Sequence, residues 1–222
     1  TQGDFDSEHP SLSADGRYVV FESAASNLVP GDSNGQQDIF LKDLSTGVTL
    51  RASTASDGSQ ANNPSNNAAL SADGHYVTFQ SSANNLVEND TNGQEDVFVK
   101  DLQTGILVRV STASNGTQGN SFSQNPELSA DARYVTFDSE ASNLVADDVN
   151  GDQDVFVKDL QTGILTRVST ASNGAQGSNH SYNAAISADG RYVAFESYAS
   201  NLVAGDTNGQ LDIFVKNLLT GA

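Results

Sequence analysis

Apolar residues along this chain fall in short clusters and never at helical spacing. Tyr18-Val19-Val20-Phe21, Ile39-Phe40-Leu41 and Val48-Thr49-Leu50 are rich in β-branched and aromatic side chains, the composition of strands. Between them stand turn formers, Asp15-Gly16, Asn34-Gly35, Thr46-Gly47 and Asp57-Gly58, at spacings that fit hairpin connections. With the short run Pro10-Ser11-Leu12-Ser13 counted as a strand, the pattern predicts four strands in up-and-down order, near 10–13, 18–23, 38–44 and 48–53. Val19, Phe21, Ile39 and Leu41 load one face of this sheet and Val20 and Phe40 the other. A half-exposed sheet would alternate apolar with polar, so both faces are expected to be covered.

The pattern then recurs at a fixed interval. SADGRYVVFES at 13–23 returns as SADGHYVTFQS from Ser71, SADARYVTFDS from Ser129 and SADGRYVAFES from Ser187, each step being 58 residues. No insertion or deletion separates the copies, so the chain is four units, 1–58, 59–116, 117–174 and 175–222. Four antiparallel strands buried on both faces describe one blade of a stacked array. The expected fold class is therefore all-β, a β-propeller of 58-residue four-stranded blades, with 1–222 forming one propeller domain or a propeller fragment. Thr1 aligns with Ser59, Thr117 and Ala175, and Ala222 precedes the counterpart of the outer strand at Val108 to Ser111. The last blade is thus expected to lack its outer strand. A fragment of a larger propeller, a four-bladed ring with one short blade, and a blade completed by a partner chain through edge pairing all fit that phase.

The motif P-x-LSADGRYVxFES, followed by DIFVKDLxTG and RVS, resembles the TolB-type, WD-like β-propeller repeat across all four units. The resemblance implies the fold and little about activity, because such blades occur in periplasmic proteins, in protease-associated gating domains and in secreted proteins. It implies an extracellular or periplasmic, bacterial-type setting. Two positions depart from the repeat: Ala132 stands for the turn glycine in unit three, and Asn217 for the strand aspartate seen at Asp43, Asp101 and Asp159. Both read as local tolerance.

The sharpest chemical signal is an acidic loop present four times: GDSNGQQD at 31–38, NDTNGQED at 89–96, DDVNGDQD at 147–154 and GDTNGQLD at 205–212. Calcium takes six to eight oxygens from carboxylates, amides, backbone carbonyls and water, and a glycine permits the turn that wraps them round one ion. The expected ligands are Asp32, Asn34 and Asp38 with the Gln36 carbonyl; Asp90, Asn92 and Asp96 with Gln94; Asp148, Asn150 and Asp154 with Asp152; and Asp206, Asn208 and Asp212 with Gln210. The spacing resembles the calcium loops of integrin-type blades without their first aspartate. An Asn-Gly hairpin turn and an Asx turn explain the same residues without metal. Two carboxylates set together four times still demand a cation.

Composition then narrows the function. Ten Lys and Arg face 28 Asp and Glu for a net charge of −18, so a nucleic-acid phosphate backbone is repelled. There is no cysteine, hence no disulfide framework or thiolate site, and no apolar run long enough for a membrane helix. His9, His75 and His180 fall at three different repeat positions, and no Gly-x-Ser-x-Gly elbow is present. The pairs Ser26-Asn27, Asn84-Asn85, Ser142-Asn143 and Ser200-Asn201 before Leu-Val suggest turn caps with aliphatic plugs between blades. The expected function is a secreted, non-catalytic, calcium-binding scaffold with a protein or glycan ligand. Self-assembly into a ring or filament through edge strands, and service as the propeller part of a hydrolase or lyase, are the alternatives.

Overall fold

A computed structural model describes residues 2–222 and contains fifteen strands. The first repeat forms β1 (Ser7–Leu12), β2 (Tyr18–Ser23), β3 (Asp38–Asp43) and β4 (Thr49–Arg51). The second forms β5 (Ser65–Leu70), β6 (Tyr76–Ser81), β7 (Asp96–Asp101) and β8 (Leu107–Arg109). The third forms β9 (Ser123–Leu128), β10 (Tyr134–Ser139), β11 (Asp154–Asp159) and β12 (Leu165–Arg167), and the fourth β13 (Ser181–Ile186), β14 (Tyr192–Ser197) and β15 (Asp212–Asn217). Each repeat is its own antiparallel meander in sequence order, four-stranded in the first three and three-stranded in the fourth. The all-β, four-stranded blade expected from the repeat is what forms.

Register repeats with the sequence. Phe21 faces Phe40, Phe79 faces Phe98, Phe137 faces Phe156 and Phe195 faces Phe214, each pair stacked at 5.7–5.9 Å between ring centroids. Val20 faces Leu41, so the register groups Phe21 with Phe40 and Val20 with Ile39 and Leu41, a different pairing of faces from the one expected. β1 begins three residues before the run that predicts it, because Ser7, Glu8 and His9 carry no apolar signal. The first strand of each repeat has a bulge beside one residue at positive φ: His9 (48°), Asn67 (51°), Asn125 (53°) and Asn183 (52°).

Backbone contacts divide the chain into two compact units, residues 1–110 and 111–222, each holding two sheets. Within the first, Ile39 and Leu41 of β3 pack with Val77, Phe79, Ala83 and Leu86 of the following repeat. Within the second, Val155, Val157 and Val168 pack in the same way with Val193, Phe195, Ala199 and Leu202. Full burial of a side chain such as Phe79 contributes about 1.5–3 kcal/mol, so these sheet-to-sheet clusters hold each unit together.

Two polar devices fix the connections. Asn27 receives the Asp4 N–H and donates to the Gln2 carbonyl; Asn85, Asn143 and Asn201 grip the starts of their own repeats identically. The Ser-Asn pairs thus clamp an incoming segment, while Leu86, Leu144 and Leu202 are buried as plugs. The turn glycine has a steric role as well: a Cβ on Gly74 would lie 2.2 Å from the Tyr18 ring, and one on Gly190 2.4 Å from that of Tyr134. Ala132 occupies this position in the third repeat at φ 54°, where an L-residue carries a cost of about 1–2 kcal/mol.

Candidate functional site

The four acidic loops lead into the third strand of each repeat, so the last aspartate of each loop is that strand's first residue. In the first repeat, Arg51 at the end of β4 lies opposite Phe40 and points its guanidinium back between the two loop carboxylates. Its Nη1 is 3.0 Å from Asp32 Oδ1 and 2.8 Å from Asp38 Oδ2. Arg109 makes the same bridge to Asp90 and Asp96 at 3.1 and 3.0 Å, and Arg167 to Asp148 and Asp154 at 3.5 and 3.1 Å. The strand supplies the cation that the paired carboxylates demand.

The remaining contacts close this seat. Ser53 Oγ donates to Asp38 Oδ1 at 2.6 Å and accepts the Ile39 N–H, and Ser169 serves Asp154 and Val155 alike. Gln60 accepts from Arg51 Nη1 and donates to the Gly31 carbonyl, whereas Gln176 donates to both Asp148 and Asp154. Burial lifts the carboxyls of Asp32, Asp90 and Asp154 above the usual range, and the neighbouring guanidinium pulls each one down. Three buried ion-pair clusters of this kind are expensive to desolvate and costly to break from one side.

The expected calcium ligands are therefore brought together, but their donor set does not fit a calcium cage. Asn34 turns its Nδ2 toward Asp38 Oδ2 at 2.8 Å and uses Oδ1 to accept the Gln36 N–H; Asn92 and Asn208 do the same with Asp96 and Gln94 and with Asp212 and Gln210. Asn150 Oδ1 likewise accepts the Asp152 N–H. These amide oxygens close Asx turns. No group of three or more acidic or histidine side chains among the described residues is disposed to hold a metal. Arg51, Arg109 and Arg167, with Ser53, Ser169, Gln60 and Gln176, are the partners missed by a reading confined to the loop, although each type recurs at the 58-residue interval.

The fourth loop differs. Among the described residues no guanidinium pairs with Asp206 or Asp212, and Asp212 is half-buried where Asp38, Asp96 and Asp154 are fully buried. The substitution at Asn217 shows the same economy on a smaller scale. Its Oδ1 accepts the Leu219 and Thr220 N–H groups as Asp43 accepts those of Ser45 and Thr46, so the turn survives. Arg17 pairs with Asp43 and Arg133 with Asp159, while Arg191 turns instead to Asp189.

A second polar row sits on β2, β6, β10 and β14. Glu22 is buried, accepts the Asn67 N–H at 2.7 Å and the Gln37 side chain at 2.6 Å, and has His9 Nδ1 3.3 Å away. Asp138 is its counterpart in the third repeat, one methylene shorter. It accepts from Asn125 and Gln153 through Oδ2, but its buried Oδ1 has no hydrogen-bond partner. Burial pushes the Asp138 carboxyl up to about 7, against the pull of its amide donors. The histidines that looked solitary each lie beside a carboxylate: His9 by Glu22, His75 by Asp73 and His180 by Asp152.

Repeating four-stranded meanders, stacked phenylalanine pairs and sheet-on-sheet clusters define a β-propeller fold, and solved structures bear this out. TolB from Acinetobacter baumannii superimposes with a TM-score of 0.59 at 18% identity, over 98% of this chain and 42% of that one. A prolyl endopeptidase matches at 0.60 with 14% identity, over 98% and 29%. The β-propeller domain of the Trilobed protease from Pyrococcus furiosus, described as having an open velcro topology, matches at 0.54 with 10% identity, over 95% and 54%. The chain spans less than two thirds of each, and identities this low establish the fold alone. No protein-family model and no curated protein sequence matches the chain.

Proposed function

We propose that the chain is a non-catalytic, extracytoplasmic β-propeller scaffold that works by assembly, its two outer sheet faces docking onto a second copy. One observation carries this reading. Ile213 and Val215 of β15 are 68% and 61% exposed, whereas their counterparts Ile39 and Leu41 are 0% and 3% exposed beneath the next sheet. Apolar side chains exposed side by side on one sheet face mark an interaction surface.

The first repeat carries the complementary half. Val19, Phe21 and Leu28 are half-buried, while Val77, Phe79 and Leu86, and Val193, Phe195 and Leu202, occupy the same positions in buried clusters. Lys100, Lys158 and Lys216 donate to the carbonyls of Thr54 and Ala55, Thr112 and Ala113, and Thr170 and Ala171 of the preceding repeat. Lys42 folds back onto Gly47 and Thr49 of its own hairpin. A second copy placed head to tail would bring together halves that already fit within each unit. Heterologous contacts of this kind build rings or filaments.

The likeness to TolB and the strong acidity support the extracytoplasmic setting. The arginine-filled seats support a structural role for the first three acidic loops. The three histidines stand at different repeat positions, each beside a carboxylate and none beside another histidine, which supports a non-catalytic reading. Sedimentation velocity over a hundredfold range of concentration should show reversible self-association, abolished by Ile213→Asp with Val215→Asp. A parent chain that stays monomeric throughout would overturn the reading.

A further inference from the structure

We propose that Asn115 and Asn173 are modification sites, each converting spontaneously to a carboxylate that serves the lysine of the following repeat, Lys158 or Lys216. Six Asn-Gly pairs occur in the chain, four in the acidic loops and these two in the turns at 112–117 and 170–175. A glycine after asparagine has no Cβ to keep its nitrogen away from the asparagine Cγ. In the conversion that nitrogen bonds to Cγ and loses its proton to water, Nδ2 leaves as ammonia, and a second water opens the cyclic imide to aspartate or isoaspartate. The sum is amide plus water to acid plus ammonia, with no oxidant or reductant.

The two sets of asparagines are held differently. Asn115 and Asn173 are exposed, accept one N–H through Oδ1, from Thr117 or Ala175 at 3.0 Å, and make no hydrogen bond through Nδ2 among the described residues. Gly116 and Gly174 donate to the Ala113 and Ala171 carbonyls at 2.9 Å, so attack requires one surface turn to open, which local fluctuation provides. Asn34, Asn92 and Asn150 are half-buried and have Nδ2 tied to Asp38, Asp96 or the Gly177 carbonyl. A carboxylate formed at Asn34 or Asn92 would face the buried one it now donates to.

The product already stands in the first repeat. Asp57 occupies the same repeat position, before Gly58, and accepts the Ser59 N–H at 2.9 Å as Asn115 accepts that of Thr117. Lys100 reaches this turn by donating to the Thr54 and Ala55 carbonyls, and the Asp57 carboxylate offsets part of the downward pull that burial exerts on its ammonium. Lys158 and Lys216 make the same contacts with the turns that hold Asn115 and Asn173, but burial pulls both down with no carboxylate set against it. Conversion gives each of them the counter-charge that Lys100 has.

The test incubates the full 222-residue chain in warm, mildly alkaline buffer and follows each Asn-Gly pair by peptide mass mapping. Loss of amide at Asn115 and Asn173 is expected to run about tenfold or more ahead of that at Asn34, Asn92 and Asn150, and the rates should converge in urea, where sequence alone decides them. Equal rates in the folded protein, or loss first in the acidic loops, would overturn the assignment. The product made directly, Asn115→Asp with Asn173→Asp, should raise the melting midpoint at low ionic strength and lose that gain in salt, while Asp57→Asn should lower the midpoint. A double variant that melts at or below the parent would overturn the service to Lys158 and Lys216.

Discussion

The loops at 31–38 and 205–212 differ at only two positions, Ser33 against Thr207 and Gln37 against Leu211, yet they present opposite electrostatics. In the first, two carboxylates are buried around Arg51 and sealed by Ser53 and Gln60. In the second, Asp212 is half-buried and no arginine is paired with Asp206 or Asp212 among the described residues. A loop motif therefore carries a geometry, and the neighbouring strand decides whether its carboxylates are neutralised. Recurrence of a motif is no guide to its role until each copy's partners are counted.

The sharpest way to break this comparison is to remove the cation from a filled loop. Arg51→Ala would leave Asp32 and Asp38 facing each other in a buried site, and about 3–5 kcal/mol of stability should be lost in urea unfolding. Asp206→Asn with Asp212→Asn should stay within about 0.5 kcal/mol of the parent. Comparable losses in the two variants would erase the distinction between the loops.

Asp138 sharpens the comparison, being a buried acid with no cation beside it. Its folded value lies above the ordinary one, so folding favours the neutral acid. That contribution is fully present below the unfolded value of 3.8 and is lost as pH rises through about 7. Asp138→Asn should equal the parent near pH 4 and exceed it by up to about 4 kcal/mol above pH 7. Unfolding curves for both proteins from pH 4 to 8 decide the matter, and a constant difference across that range would show that Asp138 does not titrate with folding.

The smallest effect is expected from metal. With arginine between the carboxylates of three loops and the Asn208 amide turned onto Asp212 in the fourth, millimolar calcium should leave the melting midpoint within about 1 °C of that in chelator, whereas even one occupied site at a hundredfold excess over its Kd would add about 2.7 kcal/mol. A rise of several degrees would return the loops to the calcium reading.

Much of the fold was legible because repetition multiplies a weak signal. One run such as Tyr18 to Phe21 is an ambiguous strand, but four copies at one interval, each with bulk on both faces, define a blade. β1 was read short because Ser7, Glu8 and His9 give no hydrophobic alternation, and their strand exists only through pairing with β2. The acidic loops were legible as sites of paired negative charge, and the need for a cation followed from Coulomb repulsion. Its identity did not, since Arg51 lies thirteen residues from Asp38 across a hairpin. The fixed interval of Arg51, Arg109 and Arg167 was the available clue.

By itself, then, the sequence determined the repeat, the strand order within it, and the placing of carboxylates and turn residues, because these depend on spacing along the chain. Tertiary structure alone decided which cation meets which carboxylates, and why Glu22 reaches the Asn67 N–H while Asp138 leaves an oxygen unpaired. Those outcomes turn on differences of about an ångström and on neighbours far apart in sequence. Only the packed sheets bring such groups within reach of one another.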